Sequence, residues 1–335
     1  WEPFPGRPDM LSVPTTCPFC ACGCGFFLLG RDGDPVGVAP GESHPVAAGK
    51  MCARGWNAHE APLWGNRLLH PKVRRDGNLE ADSWNVALDY AASRMRSLIR
   101  AGKPVGVLGS ARATNEENYL VGRLARAGLQ TNHVDFSHHS LCRPLMEGVE
   151  DVTGEPFHAI RLRDIETSDT IVLVEGDLAK THPRAAAAVL KALERGARLI
   201  VIGYARTQMA RLASCFMQTV PGSEGNAING LLAAVLHTEE GEDREVAIAC
   251  SGYDSLRCDL EAVNVSDEIR VAAGWIATAE QAVFLIGPSG GRADRLRSDA
   301  ASLATLAAIT GHLGRPGRGL LLLLERSNVL GACDM

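Results

Sequence analysis

Four cysteines near the start of the chain have the spacing of ligands to an iron–sulfur cluster. Cys17, Cys20 and Cys24 lie within eight residues, and Cys52 follows after a further 27 residues. A cubane 4Fe–4S cluster needs four thiolates that approach it from different directions. A tight loop that contains glycine can supply three of them, and a distant segment can supply the fourth. We therefore expect these four residues to bind one 4Fe–4S cluster, and Cys22, inside the loop, to be a packed cysteine that is not a ligand.

Two other interpretations of the same cysteines stay open at the level of the sequence. Zinc is the competing metal, although its cysteine ligands usually come as two C-x2-C pairs. The four residues could also be unrelated buried thiols. A disulfide scaffold is disfavoured, because four of the ten cysteines crowd into eight residues of a chain that is long enough to form hydrophobic cores. Clustered thiols in such a chain are typical of a reducing compartment, so we expect a cytoplasmic location.

The composition excludes several classes of partner. Of the 335 residues, 46% are hydrophobic and 22% are charged, which is ordinary for a globular protein. The net charge is −5, from 34 basic and 39 acidic residues. No block of Lys or Arg stands out, so we expect no nucleic-acid surface. No apolar run approaches the roughly 18–20 residues that cross a bilayer, so we expect no membrane span.

The pattern of the remaining chain predicts the elements that position these residues. Residues 1–60 have little periodicity apart from a predicted hairpin with its turn at Asp32-Gly33. From Ser83 onward, short apolar strands alternate with longer helices, which is typical of a parallel sheet with helices on both faces. The predicted strands are 105–108, 170–174, 198–202, 282–286 and 320–324, and the predicted helices lie near 83–99, 115–128, 184–195, 225–236, 266–279 and 298–311. The predicted fold class is α/β, with a small N-terminal 4Fe–4S module.

A series of motifs extends over almost the whole chain. They include Cys17-Pro18-Phe19-Cys20, His44-Pro45-Val46, Gly49-Lys50-Met51-Cys52-Ala53-Arg54-Gly55, Gly109-Ser110-Ala111-Arg112-Ala113-Thr114-Asn115-Glu116-Glu117, His182-Pro183, Gly311-His312-Leu313-Gly314-Arg315-Pro316-Gly317 and Asn328-Val329-Leu330-Gly331. With these motifs the chain resembles the molybdopterin-dependent oxidoreductases. Within that family it most resembles the N-terminal half of the formate dehydrogenase catalytic (alpha) subunit.

The resemblance implies a fold, a cofactor and a path for electrons. Such enzymes hold Mo or W between two pterin guanine dinucleotides, and electrons leave through the 4Fe–4S cluster. Arg54 occupies the position of the basic residue that bridges pterin and cluster, where Lys is commoner; the alternative is a surface arginine. The implied domains are a 4Fe–4S domain at 1–60, the first part of a central α/β domain at 61–130, a Rossmann-like α/β domain at 131–325, and the start of a return to the central domain at 326–335.

The loop that should ligate the metal departs from the family pattern. When it is registered on Pro144 and Gly148, Leu141 falls where a thiolate or selenolate belongs, and Cys142 falls where the family has His. An aliphatic side chain cannot ligate molybdenum. A slip of one residue would make Cys142 the ligand, but Arg143 would then replace the His. Another interpretation is that His138, His139 and Cys142 form an unrelated metal site. Cys142 and His139 are thus the candidate catalytic residues.

The dinucleotide-binding positions also depart from the family. Gly203-Tyr204-Ala205-Arg206 follows the strand 198–202, where the family carries an Asp-Pro-Arg that reads the guanosine. Glu175 lies where a small residue normally lets a phosphate approach, and its charge would repel that phosphate. Gly222 and Ser223, in the turn that begins at Pro221, keep a family-like pattern and are candidate cofactor-binding residues. The glycine-rich segment 287–291 could also be a nest for anions.

The sequence supports three functional hypotheses. Because the chain ends at Met335, midway through a formate dehydrogenase subunit, the first is a shortened subunit that keeps its 4Fe–4S cluster and has lost the Mo/W–pterin site. It would transfer electrons or serve a structural role in a complex with iron–sulfur or flavin subunits, and would not be catalytic alone. The second is one half of an active formate dehydrogenase that another chain completes. The third is a binding or regulatory module.

Overall fold

The chain divides into two units along its sequence. The computed structural model describes residues 9–155, 160–238, 250–288 and 292–335. The first unit comprises Trp1–Phe19, Gly23–Ser137 and Ser327–Met335, and the second comprises Cys20–Cys22 and His138–Arg326. The four-part domain division drawn from the resemblance stays a prediction. No helix in the described part of the chain is both long and apolar enough to cross a membrane.

The first unit begins with a three-stranded antiparallel sheet. Its strands are β1 (Leu11–Thr16), β2 (Gly25–Arg31) and β3 (Asp34–Pro40), in that spatial order. The hairpin between β2 and β3 turns at Asp32-Gly33, as the sequence predicts. Both turn residues have positive φ, 54° and 92°, which the tightest hairpin turn requires. A short helix (Ala53–Trp56) and a 3-10 turn (Ala58–Leu63) follow the sheet.

The remainder of the first unit combines a hairpin, three helices and a pair of parallel strands. Its elements are β4 (Lys72–Arg75), β5 (Asn78–Ala81), a helix at Trp84–Arg100, β6 (Val107–Gly109), a helix at Asn115–Arg123 that continues as a π turn (Leu124–Gly128), β7 (Val134–Phe136) and a helix at Val329–Asp334. Thr114 and Glu117 form the predicted capping box at Asn115. The β4–β5 hairpin was not predicted, although it turns at Asp76-Gly77, where both residues have positive φ as in the β2–β3 turn.

The second unit is built on a five-stranded parallel sheet with the order β10-β9-β8-β11-β12. The strands are β8 (Thr170–Val174), β9 (Arg198–Gly203), β10 (Cys215–Gln218), β11 (Ala282–Ile286) and β12 (Gly319–Leu322). Four of them match predicted strands, which confirms the α/β class with a parallel sheet. In chain order the arrangement is 3-2-1-4-5, as in doubly wound dinucleotide-binding sheets. The strand order reverses between β8 and β11.

Helices flank this sheet along the chain. Their bounds are His139–Thr153, Leu162–Thr167, Leu178–Thr181, Pro183–Glu194, Gln208–Leu212, Glu224–Thr238, Tyr253–Glu261, Asp267–Ala277 and Ala293–Ile309. Every residue of β8 and β11 is buried, which explains the continuous apolar runs in the sequence. The helix His139–Thr153 packs against Ala293–Ile309. Gly148 allows this close approach, because an added Cβ would lie 2.9 Å from the Cβ of Ala300.

Candidate functional site

The cysteine loop is closed by its own backbone and shields its thiols from water. The amide of Cys17 donates to the carbonyl of Cys24 over 2.8 Å. Cys17, Cys20 and Cys24 are buried, with exposures of 5%, 6% and 6%. Gly23 has a φ of +68°, a conformation that glycine adopts without strain, just before the third cysteine. Three buried thiols on one closed loop are a donor set that suits an iron–sulfur cluster.

The fourth cysteine lies at the end of a segment organised by His44. Cys52 is half-buried and immediately precedes the helix Ala53–Trp56. The Nδ1 atom of His44 accepts hydrogen bonds from the backbone amides of Gly25, Val46 and Ala47 at 3.4, 3.2 and 3.3 Å. Burial lowers the pKa of His44. A neutral imidazole is required, because a protonated Nδ1 would face three donors. His44 therefore ties the end of the loop, at Gly25, to the segment that leads to Cys52.

Two arginines of the first unit lie against this loop. The guanidinium carbon of Arg54 is 6.0 Å from the ring centre of Phe19, which separates Pro18 from Cys20. Arg54 is half-buried, and its role as a bridge between pterin and cluster stays a prediction. Arg112 donates from Nη1 to the carbonyl of Pro18 over 3.0 Å. The sequence offered no signal for this contact beyond the position of Arg112 in a family motif, because the two residues are 94 positions apart.

The loop that resembles the family's metal-ligand loop leads into the helix His139–Thr153. His138 precedes this helix with a φ of +77°, and its carbonyl accepts from the amide of Cys142 over 2.9 Å. Cys142 is only 1% exposed, whereas Leu141 is half-buried. Within the described ranges, no three Cys, His, Asp or Glu side chains lie close enough to hold a single metal ion, so the interpretation of His138, His139 and Cys142 as an unrelated metal site is wrong. The four thiolates of a cubane cluster bind four separate irons, so the criterion for a single ion does not apply to them.

The carboxyl edge of the parallel sheet carries an acidic residue in an unusual conformation. Glu175 directly follows β8 with a φ of +53°, and Gly176 follows with a φ of +91°. This turn directs the Glu175 side chain across to the end of β9, where its Oε1 accepts from the amide of Tyr204 over 3.2 Å. A Cβ on Gly203 would lie 3.0 Å from that oxygen. The sequence placed Glu175 against an approaching phosphate, but the fold turns its carboxylate toward the neighbouring strand.

Two further carboxyl groups lie at the same edge. Glu224, at the start of the helix Glu224–Thr238, is completely buried. Its Oε1 accepts from Thr219 Oγ1 and from the amide of Gly222, both over 3.1 Å. Its Oε2 has no hydrogen-bond partner among the residues that the structure describes. Burial, and then the adjacent Glu224, raises the pKa of Glu175 to about 7 and that of Asp299 to about 6.

The predicted cofactor residues Gly222 and Ser223 form the turn beside these carboxyl groups. Gly222 has a φ of +80°, and its carbonyl accepts from Arg295. The hydroxyl of Ser223 donates to the carbonyl of Val220 over 2.7 Å, so it stabilises the turn itself. Beyond β11, a Cβ added to Gly287 would lie 3.5 Å from the Cα of Gly176, so two backbone turns lie close together at the reversal point of the sheet. Residues 289–291 of the predicted anion nest lie outside the described residues.

Comparison with known proteins gives matches over both parts of the chain. The model of the molybdopterin oxidoreductase family matches residues 67–329, and that of the molybdopterin oxidoreductase Fe4S4 domain matches residues 10–61. F420-dependent formate dehydrogenase 1 subunit alpha of Methanococcus maripaludis is 31% identical over 96% of this chain and 49% of the relative. Formate dehydrogenase H of Escherichia coli is 30% identical over 97% of this chain and 48% of the relative. The chain thus spans about half the length of the curated relatives it matches.

A solved structure shares the fold. The acetylene hydratase from Pelobacter acetylenicus superimposes with a TM-score of 0.70 over 92% of this chain and 44% of that protein, at 18% sequence identity. At this level of identity the likeness concerns the fold alone. Together with the match to the Fe4S4 domain, it confirms an α/β protein with an N-terminal iron–sulfur domain.

Proposed function

The chain belongs to the molybdopterin oxidoreductase family, and from this premise we propose that it carries one 4Fe–4S cluster and transfers electrons within a formate dehydrogenase-like redox complex. The observation that carries the proposal is the closed loop with three buried thiols, followed by Cys52. A cluster in this setting exchanges one electron at a time. Its ligands would be Cys17, Cys20, Cys24 and Cys52, inside the segment that matches the Fe4S4 domain.

The surroundings of the cysteine loop support an electron-transfer role. Arg54 and Arg112 place two positive charges against the loop. A 4Fe–4S cluster with four thiolates is an anion, so nearby cations and hydrogen bonds stabilise it and raise its reduction potential. Exclusion of water from the thiols further sets the potential and protects the cluster. Arg54 retains the positive charge expected of a residue between the cluster and a redox partner.

We propose that the Mo/W–pterin site has lost its metal-ligating side chain. The register of the loop depends on Gly148, and close packing against Ala300 supports the assignment because it requires glycine there. This register puts Leu141 at the ligand position. The next residue, Cys142, is buried in the same helix, His139–Thr153. The carboxyl edge of the sheet does retain a feature that suits a nucleotide, namely the close approach of Gly176 and Gly287. The residues of this chain therefore suit the nucleotide part of the cofactor but supply no ligand to its metal.

The second candidate function is one half of an active formate dehydrogenase that another polypeptide completes. The observation that favours it is the coverage, because this chain spans about half the length of its relatives. In either case we propose a cytoplasmic complex with iron–sulfur or flavin subunits. The third candidate, a binding or regulatory module, needs neither cluster nor pterin and is distinguished from the others by metal content.

The test is elemental and pterin analysis of the protein isolated without oxygen, together with whatever co-purifies. We expect about four iron atoms per chain and no stoichiometric Mo, W or pterin. Cys52→Ser should abolish the visible absorbance of the cluster, whereas the matched variant Cys22→Ser, in the same segment, should retain it. Stoichiometric Mo or W with pterin would establish the second candidate, and a protein without iron would leave only the third. Bleaching by Cys22→Ser would disprove the ligand assignment.

A further inference from the structure

The carboxyl groups of Glu175 and Glu224 meet beside Gly203, at the end of β9. Glu175 reaches this point from the end of β8, and its Oε1 would lie 3.0 Å from a Cβ on Gly203. Glu224 reaches it from the start of a helix. The hydroxyl of Thr219 donates to Oε1 of Glu224, and the amide of Thr219 donates to the carbonyl of Gly203 over 3.2 Å. The two carboxyl groups are thereby brought into hydrogen-bonding contact with each other.

The hydrogen bonds around these two groups leave one buried oxygen without a donor. Oε1 of Glu175 accepts from the amide of Tyr204 over 3.2 Å. Oε1 of Glu224 accepts from Thr219 and from the amide of Gly222. Oε2 of Glu224 is buried and has no hydrogen-bond partner among the described residues. Ionised carboxyl groups only accept hydrogen bonds, so a second carboxylate cannot satisfy this oxygen. One proton between the two groups would supply the missing donor.

We propose that Glu175 and Glu224 share one proton, and that this proton stabilises the contact between the start of the helix Glu224–Thr238 and the ends of β8 and β9. Two buried carboxylates in contact repel each other, whereas a carboxylic acid and a carboxylate form a charge-assisted hydrogen bond. The ligand of this site is a proton. The contact between strand ends and helix is therefore sensitive to pH.

The charged groups beside the pair do not replace this proton. Asp299, on the helix Ala293–Ile309, is only 8% exposed, and its negative charge adds to that of Glu224. Arg295, on the same helix, favours the charged form of Asp299, but its side chain is exposed, so water screens its charge. Burial, above all, raises the pKa of Glu175 to about 7. The proton is thus bound below this pH, and the contact weakens as pH rises toward about 7.

Amide substitutions test the shared proton, because a glutamine carries a permanent N–H where the proton would lie. In Glu224→Gln the amide oxygen keeps both of its donors, and the amide nitrogen donates to Glu175. Glu175→Gln offers the same arrangement in reverse. Both single variants should therefore keep the contact at every pH. The double variant Glu175→Gln with Glu224→Gln places two N–H donors face to face and should break the contact, although the repulsion between two charges is gone.

Hydrogen exchange of the purified 335-residue chain, followed by mass spectrometry between pH 5 and 8, measures the contact locally. The amides of Tyr204 and Gly222 report on it through their protection factors, because they donate to the two carboxyl groups. Relative to Glu224→Gln, the protection of wild type should fall by about tenfold per pH unit between pH 5 and 7, since the closed form binds one proton more. At pH 6 the double variant should be about tenfold less protected than either single variant, because buried donors lose their acceptors.

The matched control is Asp177→Asn, which removes an acid two positions from Glu175, one that pairs with Lys180. It should show the pH dependence of wild type. The inference is overturned if the ratio of wild-type to Glu224→Gln protection does not change with pH, or if either single variant loses the contact at pH 6. A double variant as well protected as the single ones would also overturn it, because repulsion without a shared proton predicts that result. If the double variant does not fold, the pH dependence of the single variants decides. Iron content, which tests the proposed function, enters none of these measurements, so either can fail without the other.

Discussion

Replacement of Gly148 by alanine tests whether the close packing of two helices beside the candidate metal-ligand loop stabilises the second unit. Gly148 lies in the helix His139–Thr153, which begins at His139 and contains Cys142. A Cβ at this position would overlap the carbonyl oxygen of Arg297 and would lie 2.9 Å from the Cβ of Ala300 and 3.0 Å from the carbonyl carbon of Arg297. These atoms belong to the facing helix Ala293–Ile309, and the nearest of them is backbone, so a side-chain rotation cannot relieve the contact.

The size of the effect follows from these distances. Non-bonded carbon atoms approach to about 3.5–4.0 Å at their optimum, so the helices must separate by about 1 Å. Overpacking of this kind costs about 1–3 kcal/mol, while replacing an internal helical glycine by alanine gains about 1 kcal/mol. We expect a net loss near the upper end, about 2 kcal/mol, because the obstacle includes backbone. For a unit of this size that corresponds to a fall in Tm of about 4–8 °C.

Thermal unfolding followed by circular dichroism measures this change, with Gly274→Ala as the matched control. Gly274 also lies inside a helix, Asp267–Ala277, but an added Cβ would meet no atom within 4 Å. That substitution should raise Tm by about 2–4 °C, because only the gain in helix propensity remains. The reasoning is refuted if the two variants change Tm in the same direction.

Three further predictions follow from the site residues. His44→Ala should destabilise the first unit and speed the loss of iron, whereas His44→Asn, which keeps an acceptor near Nδ1, should not. Burial lowers the pKa of His44. The stability that His44 contributes is therefore present above its unfolded pKa and is lost as pH falls below about 6.5. The pKa of Glu175 is raised to about 7. Its contribution to the stability of the fold is therefore fully present below its unfolded pKa and is lost as pH rises through about 7. Glu175→Gln should make the denaturant midpoint less dependent on pH between pH 5 and 8. Arg112→Met removes the donor to Pro18 and should hasten the decay of cluster absorbance in air; an unchanged decay would show that this contact does not protect the cluster.

Much of the fold could be predicted because its signals are local. The apolar runs of β8, β9, β11 and β12 show directly in the sequence, since strands buried on both faces need apolar residues at every position. The capping residues Ser83 and Thr114 mark their helices in the same way. Elements without such signals were missed. They include the short strand β10 and the helix His139–Thr153, which contains Pro144 and packs through a glycine.

The cysteine spacing by itself determined the candidate iron–sulfur site, because the four cysteines and their separations are read directly from the sequence. The tertiary structure alone decided which residues surround that site and which groups lie at the carboxyl edge of the second unit's sheet. Arg112 reaches Pro18 from 94 residues away, and a contact at that separation leaves no local pattern. For Glu175 the sequence predicts a carboxylate that faces an approaching phosphate, whereas a left-handed backbone at this residue sends the carboxylate to the adjacent strand. Side-chain direction at such a turn depends on φ and on the space that Gly203 leaves, and both are properties of the folded chain.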